Sequence, residues 1–403
     1  MRQLRKVLIE NLCKLSLISL GFKSSIIILN LMIWGLNGTA QNVNRAFQND
    51  YAMNQGRKVL CIPDIPGYQT LKGDFHIHTV FSDGHIWPDF RIVEAWTEGL
   101  DVIAITDHIE YQSHTMDIPA DDLNSGYERA KIKANNLNIL LVPGAEISKK
   151  VPPGHLNALF IKDMNKLRND APMMQIEEAI KQGAFILWNH PGWGWAKPLP
   201  DTTKWWDFQT AILGKGWLHG IEVYNTEEWY QVALNWCIDK DLTVFANSDI
   251  HAPINYWYNL SHPYSHRPMT LVFSKNRTLD GVKEALFENR SLAYFDHILA
   301  GKEDLLKELF HASIILHSPF RQVENNGRKT YFAELENPTD LTFILKKEGA
   351  AKSNDRTDLV KLLPKTITII KYKYNEDVLY YQLMNCYSDI NTHPLVQLPA
   401  LKK

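Results

Sequence analysis

Short apolar segments alternate with segments of helical spacing along residues 72–307, and this alternation restricts the possible folds more than any other feature. Residues 100–106 are a short run rich in β-branched side chains and residues 139–143 are an apolar run, as expected of parallel strands buried on both faces. Residues 87–99 and 127–136 have helical character. This order predicts an α/β fold with a parallel sheet. A closed (β/α) barrel takes about 250 residues, so the 403-residue chain has room for one barrel and a smaller domain.

Side chains that can bind metals recur where these predicted strands end. His76 and His78 lie two positions apart on the first predicted strand, residues 75–80, so both point to the same face. In a closed barrel all strand C-termini open on one face, and the active site lies there. The alternation therefore predicts that ligands distant in sequence meet at one rim. The candidates at or just after strand ends are His76, His78, Asp83, His108, Glu146, His190, Asp249 and His251, and His155 opens a strand.

Composition excludes several classes of protein. The hydrophobic fraction of 45% and the charged fraction of 22% are typical of a globular protein. The net charge of −2 and the lack of a long basic run predict no nucleic-acid partner. Cys13 lies in the leader described next, and Cys61, Cys237 and Cys386 are too few and too scattered for a disulfide framework.

The N-terminus has the features of an export signal. Arg2 and Arg5 precede an apolar run at residues 26–36, and the small residues at 38–40 offer a cleavage site. The run is shorter than the ~20 residues that span a bilayer, so no stable membrane anchor is expected after cleavage. We predict a signal peptide at residues 1–40, a periplasmic or secreted location, and a linker or arm at residues 41–71.

The character of the sequence changes at about residue 308. Residues 308–403 contain short alternating segments divided by turn residues such as Asn325, Asn326 and Gly327. This pattern predicts a small all-β sandwich domain. Residues 72–307 would then form the barrel domain.

Taken together, the motifs resemble those of the polymerase-and-histidinol-phosphatase (PHP) family of metal-dependent phosphoesterases. The resemblance covers about residues 72–300 and is carried by His-x-His at 76–78, Asp-His at 107–108, Gly-x-Glu at 144–146, Asn-His-Pro at 189–191 and Ser-Asp-x-His at 248–251. Residues 152–159 and 182–193 are similar to the exported Sphingobium-type phosphodiesterase subgroup of that family. The resemblance implies a distorted (β/α)7 TIM-like barrel of the PHP fold.

The same resemblance implies two to three divalent metal ions. One ion would be held by His76, His78, Glu146 and Asp249, a second by Glu146, His155 and His190, and a third by Asp83, His108 and His251. The mixed nitrogen and oxygen donors fit Mn, Zn or Fe. The expected reaction is hydrolysis of small organic phosphodiesters by attack of a metal-bridging hydroxide on phosphorus.

Further side chains are candidates for supporting roles. His114 would protonate the leaving group, Asp107 would orient a ligand or cap a loop, and Glu222 would act as a carboxylate behind the metals. The candidates for substrate contacts are Trp193, Tyr224, Arg267 and Lys149. In the loop after His108, Gln112 stands where the subgroup carries an arginine, which leaves the identity of the small phosphoester substrate open.

Two alternative functions remain. One is a phosphomonoesterase of the histidinol-phosphatase type, whose more negative substrate would favour more Arg and Lys around the site. The other is a non-catalytic surface protein that binds through its β domain. The sequence leaves the oligomeric state open.

Overall fold

The computed structural model describes residues 56–118, 121–193, 203–261, 265–348 and 359–402. The predicted signal peptide, residues 1–40, lies outside the described residues. None of the described helices is long and apolar enough to cross a lipid bilayer.

A large curled sheet forms the centre of the molecule. The strands it takes from the first part of the chain are β1 (Gln69–Asp74), β2 (Val102–Ile105), β3 (Leu140–Ser148), β4 (His155–Leu159), β5 (Phe185–Trp188), β6 (Gly220–Asn225), β7 (Glu228–Trp229), β8 (Thr243–Asn247), β9 (Met269–Ser274), β10 (Ser291–Phe295) and β11 (Ile298–Gly301). Their order across the sheet is β11-β10-β9-β1-β2-β3-β4-β5-β6-β7, and β8 also pairs with β6. Every residue of β2, β5 and β8 is buried, which explains the apolar sequences of β2 and β5 and of residues 244–246 in β8.

Helices connect and cover these strands. They are α1 (Pro88–Thr97), α2 (Ser125–Leu137), α3 (Pro172–Lys181), α4 (Asp207–Gly214), α5 (Gln231–Asp239), α6 (Ile254–Trp257), α7 (Leu279–Phe287) and α8 (Glu303–Ser313), with a 3₁₀ turn at Met164–Leu167. Helix α1 shows how the sequence sets such boundaries. Pro88 begins it, where a missing N–H costs nothing, and Gly99 follows its end with a φ of +87°.

The sheet is mixed, whereas the sequence analysis predicted a parallel one. β1, β2 and β3 are parallel, but β4 is antiparallel to both β3 and β5, and β9 is antiparallel to β1. The reason is the length of the connections. Residues 149–154 join β3 to β4 as a short turn, and a chain needs a longer crossover to return parallel.

The first strand also differs from its predicted position. The strand was predicted at residues 75–80, but β1 ends at Asp74. His76 and His78 therefore lie in the segment that follows the strand and not within it. Backbone hydrogen bonds hold this extension to the chain after β8: the Asp249 N–H donates to His76 O at 2.9 Å and the His78 N–H to Ile250 O at 3.1 Å. The ends of β1 and β8 are thereby joined, and their candidate ligands become neighbours.

The C-terminal part of the chain is rich in β-strands. These are β12 (Ile315–Leu316), β13 (Arg321–Asn325), β14 (Arg328–Asn337), β15 (Phe343–Lys347), β16 (Leu359–Leu362), β17 (Thr366–Lys373), β18 (Val378–Leu383), β19 (Cys386–Tyr387) and β20 (Leu395–Pro399). In the described residues, β12, β13, β14 and β17 form one antiparallel sheet and β15, β16, β18 and β20 another. Burial alternates along β18, so its inward side chains join a core that both sheets share.

One strand of this part belongs to the large sheet. β19 pairs in parallel with β11, where Cys386 is the register partner of Leu299. Helix α8 runs across the boundary that was predicted between residues 307 and 308. The two parts of the chain are therefore connected by a shared sheet as well as by a helix.

Candidate metal centre

All nine predicted ligands converge at the rim where the central strands end. The loops after β1, β2, β5 and β8 and the strands β3 and β4 carry them. Their ligand atoms form four overlapping groups, each with all atoms within 4.8 Å of one another. The groups are His78, Asp83, His108 and His251; His76, Glu146 and His190; His76, His78 and Asp249; and His108, Glu146 and His155.

Glu146 lies at the centre of this cluster. Its Oε1 is 2.9 Å from His155 Nδ1 and 3.7 Å from His190 Nε2, and its Oε2 is 2.6 Å from His108 Nδ1. Asp249 Oδ1 lies 3.0 Å from His78 Nε2. The groups differ in detail from those that the resemblance implied, because His78 also lies with Asp83, and His108 also lies with Glu146 and His155.

The carboxylates of this cluster fit a cation. Among the described residues, Asp83 Oδ1, Glu146 Oε2 and Asp249 Oδ1 are buried oxygens that accept no hydrogen bond of good geometry. Such atoms are rare in folded proteins, since leaving them unsatisfied costs about 1–3 kcal/mol each. Imidazole nitrogens lie 2.6–3.8 Å from these oxygens, as expected of ligands that share a metal. The donor set of imidazole and carboxylate suits a borderline divalent ion such as Zn, Mn or Fe.

The charges of the cluster support the same interpretation. Burial alone would raise the pKa of Glu146, but His108, His155 and His76 hold that pKa well below its usual range. Burial lowers the pKa of His78 to about 3, with His251 and His108 contributing in the same direction. This favours the neutral imidazole at His78, which is the form that binds metals. At His76 burial acts in the same direction, but the carboxylates of Asp249, Glu222 and Glu146 outweigh it and raise the pKa well above its usual value while no cation balances them.

Glu222 supports the ligands from behind and does not line the cavity. Its Oε1 accepts a hydrogen bond from His76 Nδ1 at 2.8 Å, and its Oε2 accepts one from the His190 backbone N–H at 2.8 Å. The side-chain amides of Asn225 and Asn247 satisfy it further. A proton held on Nδ1 of His76 leaves the Nε2 lone pair for a metal. Glu222 therefore lies where the sequence analysis expected it, as a carboxylate behind the candidate ligands, and it orients His76.

Asp107 and His114 also have structural contacts rather than a place in the reaction. The Asp107 carboxylate accepts hydrogen bonds from Thr79 N at 2.7 Å and Ser82 Oγ at 2.8 Å, so it caps the turn that leads to Asp83. This agrees with the loop-capping alternative. His114 Nε2 donates to Gly84 O at 3.0 Å, and His114 does not line the cavity described next, which corrects its assignment as a proton donor.

An open cavity of about 660 Å³ lies over the cluster. Of the predicted substrate contacts, Lys149 and Trp193 line it. The Trp193 ring lies 5.2 Å from the ring of His155, measured between centroids, and is 44% exposed. The other residues that line the cavity and are not candidate ligands are Tyr111, Ser148, Lys150 and Val151.

Two predicted substrate contacts are corrected. Tyr224 is buried and stacks on Phe295 at 3.9 Å, away from the cavity. Arg267 is 1% exposed, and its guanidinium donates to Asp74 at 2.9 Å and to Glu98 at 2.7 and 2.9 Å. A buried guanidinium requires such carboxylates, so Arg267 has no free donor face for a phosphate.

Some functional positions were missed by sequence reasoning. Asn189 Nδ2 donates to Glu146 Oε1 at 2.8 Å and orients the central carboxylate. Its position directly before His190 was a usable signal. Tyr111 is 56% exposed beside His108, and no spacing or charge in the sequence distinguishes it from an ordinary loop residue.

Comparisons with known proteins give the family to which the chain belongs. The chain is similar to a two-domain protein from Bacteroides vulgatus that contains a predicted PHP-like metal-dependent phosphoesterase, with 38% identity and a TM-score of 0.77 over 85% of this chain and 98% of that one. A curated 5'-3' exoribonuclease from Haemophilus influenzae is 33% identical over 79 residues, which are 20% of this chain and 24% of that protein.

An amidohydrolase structure from Chromobacterium violaceum shares 17% identity over 45% of this chain and 88% of that one, with a TM-score of 0.33. No protein-family model matches the sequence. The Bacteroides vulgatus protein is matched over almost its entire length at high identity. The chain therefore belongs to the family of PHP-like metal-dependent phosphoesterases.

Proposed function

We propose that this protein is an exported, metal-dependent phosphodiesterase that hydrolyses small organic phosphodiesters. One observation carries the proposal: nine imidazoles and carboxylates, including three buried oxygens without hydrogen bonds, converge below an open cavity. We also propose that the curled sheet is a distorted (β/α)7 barrel of the PHP fold. The ligand groups are sufficient for two to three divalent ions.

The bound ions would supply Lewis acidity, which lowers the pKa of water and neutralises the charge of a phosphoryl group. The residues of the chain prepare the site for this chemistry. Glu146 provides a shared anionic centre, and Glu222 fixes the tautomer of His76. Ser148 Oγ lies 2.5 Å from His108 Nδ1 and helps to orient that ring.

The cations near the cavity favour a diester over a monoester. Among the described residues that line it, Lys149 and Lys150 are the cationic side chains, and Lys149 already pairs with Glu110 at 2.9 Å. A phosphomonoester carries an additional negative charge that would call for more Arg and Lys. A diester with one negative charge is therefore the better match.

A substrate panel tests the proposal. The protein would be reconstituted with Mn²⁺, Zn²⁺ or Fe²⁺ and assayed with bis(p-nitrophenyl) phosphate and p-nitrophenyl phosphate. We expect faster hydrolysis of the diester, and His76→Ala should abolish it. His317→Ala, a change directly after β12 in the C-terminal part of the chain, should not. Preference for the monoester would favour the histidinol-phosphatase alternative. Fewer than two bound ions and no turnover would favour a non-catalytic binding protein.

A short oligoribonucleotide belongs in the same panel because of the partial likeness to a 5'-3' exoribonuclease. The net charge of −2 leads us to expect no turnover of it.

Export is tested separately by N-terminal sequencing of the protein produced in a bacterial host. A mature chain that begins at Gln41 in the periplasm or the medium is expected. Uncleaved protein confined to the cytoplasm would contradict export without affecting the proposed chemistry.

A further inference from the structure

Arg91 of α1 lies behind the metal centre with 1% of its surface exposed. Four of its hydrogen bonds go to backbone carbonyls. Nε donates to His78 O at 2.9 Å, Nη2 to Ile250 O at 3.1 Å and His251 O at 2.7 Å, and Nη1 to Ala252 O at 2.9 Å. One guanidinium thereby connects the segment of the first ligands with the segment of the last ones.

The fifth donor of Arg91 completes the arrangement. Nη1 also donates to Glu94 Oε2 at 2.8 Å, one helical turn further along α1. Glu94 Oε1 in turn accepts the backbone N–H of Ile254 at 3.0 Å. A guanidinium has five N–H donors in a fixed fork, and here all five have acceptors.

The segment that Arg91 holds has an unfavourable backbone. Asp249 has a φ of +51°, which costs a non-glycine residue free energy. The carbonyls of the three residues 250–252 all accept hydrogen bonds from Arg91. Ile250 O also accepts the His78 N–H and His251 O the His85 N–H, so the guanidinium reinforces backbone contacts that already hold this segment. Such a conformation persists only where its surroundings determine it strongly.

The segment that follows β8 carries two of the candidate ligands, Asp249 and His251. The rings of His78 and His251 stack with centroids 4.1 Å apart, and His251 Nε2 lies 3.2 Å from Asp83 Oδ1. The spacing of these three side chains depends on the relative position of the two backbone segments that Arg91 joins.

We propose that Arg91 is a positioning residue that sets the metal affinity of the group formed by His78, Asp83, His108 and His251. Arg91 does not line the cavity, so it acts through the backbone of His78 and His251 and not on the substrate. This inference rests on the proposed metal-dependent function, and its test therefore measures metal binding in the absence of substrate.

The test is Arg91→Lys, because lysine keeps the charge but has only three donors. Titration with Mn²⁺ followed by electron paramagnetic resonance should show about 10- to 100-fold weaker binding of at least one ion. The circular-dichroism spectrum should be retained. The matched control is Arg290→Lys, since Arg290 is 8% exposed and donates to Phe273 O on a strand that carries no ligand.

A double-mutant cycle separates positioning from general loss of stability. In a His251→Ala background one member of the affected group is already missing, so Arg91→Lys should weaken Mn²⁺ binding by much less. An equal effect in both backgrounds, or equal affinities for the Arg91→Lys and Arg290→Lys proteins, would overturn the proposal. Absence of Mn²⁺ binding to the wild-type protein would contradict the proposed function instead.

A second variant covers the case in which Arg91→Lys does not fold. Glu94→Gln keeps the guanidinium in place but weakens the contacts to Arg91 and Ile254. A smaller loss of Mn²⁺ affinity is expected, and unchanged affinity would count against the proposal.

Discussion

Glu146 is the residue on which the candidate site depends most. Its carboxylate lies within 3.7 Å of the ligand nitrogens of five imidazoles, and it has no surface exposed to solvent. A neutral amide would keep its shape but remove the charge that balances a cation. We expect Glu146→Gln to lower the number of bound ions and to reduce diester hydrolysis by about 100-fold or more. Elemental analysis of the purified variant checks this, and a full complement of metal would contradict it.

Glu222→Gln tests the role assigned to the carboxylate behind His76. The amide is neutral and can present its NH₂ group to Nδ1, which would favour the wrong tautomer of His76. We expect metal affinity to fall about 10- to 100-fold, while saturating metal restores part of the turnover. Activity measured against metal concentration separates these effects. A loss that no metal concentration restores would indicate that Glu222 acts in the reaction itself.

Lys149 and Lys150 differ although they are neighbours at the cavity. Lys149 is paired with Glu110, whereas Lys150 is exposed and among its described neighbours has no carboxylate within 4.0 Å. We expect Lys150→Ala to raise KM for an anionic diester by roughly 2- to 10-fold with little change in kcat, a loss of about 1 kcal/mol. Lys149→Ala should have the smaller effect on KM. Steady-state kinetics of both variants at low salt test this prediction. A larger increase in KM for Lys149→Ala than for Lys150→Ala would contradict it.

At this scale the sequence predicted ligands better than substrate contacts. His76, His78 and Glu146 belong to short motifs that lie within a strand or just after one. Arg267 and Tyr224 do not belong to such motifs. They were predicted to contact the substrate only because of their residue types. Their positions depend on partners from distant elements, Glu98 for Arg267 and Phe295 for Tyr224, which the sequence does not reveal.

At the scale of elements, the long apolar strands were predictable and their directions were not. Strand existence follows from local pattern, but the reversal at β4 depends on the turn at residues 149–154, which contains Pro152, Pro153 and Gly154. These residues indicate a turn, but the sequence alone does not reveal that the turn connects β3 directly to β4 without a helix between them. The α/β class could therefore be predicted from the sequence, whereas the directions of the strands could not.

Two half-buried histidines next to strands contribute to how stability depends on pH. Burial lowers the pKa of His219, before β6, and of His266, before β9, to about 4 in each case. These two side chains thus bind fewer protons in the folded state than in the unfolded state between about pH 6.5 and 4. We expect their contribution to the free energy of unfolding to be largest above about pH 6.5 and to fall as the pH decreases towards 4.

The size of this effect is on the order of 1–3 kcal/mol per histidine. His219 Nδ1 accepts the Ile186 N–H at 2.9 Å, and asparagine offers a similar acceptor that does not titrate. Urea unfolding of His219→Asn should therefore show a weaker dependence on pH than the wild-type protein. Parallel curves from pH 8 to 4.5 would contradict this assignment.

At the scale of the whole molecule, the parts of the chain are interleaved. The Lys58 N–H donates to Thr97 O at 2.8 Å at the end of α1, and the Cys61 N–H donates to Asp340 Oδ2 at 2.5 Å. Asn385 Nδ2 donates to His297 O at 2.6 Å and to Thr342 O at 2.8 Å. The predicted arm and β domain therefore contact regions that the sequence treated as separate.

These contacts predict the behaviour of a shortened protein. A chain that ends at residue 307 loses the buried Leu309 and Phe310 of α8 and leaves the edge of β11 without β19. Exposed edges and apolar surface promote aggregation. We expect such a chain to be largely insoluble when produced beside the full-length protein. A soluble fragment with the full complement of metal would contradict this expectation.

The position of β19 has a consequence for how the protein reaches its folded state. Asn385 and His297, which meet at this edge, are 88 residues apart. While the ribosome is still adding those residues, the large sheet has an unpaired border and cannot be completed. This border is therefore among the last parts of the large sheet to pair, after the strands that precede it in the chain have been synthesised.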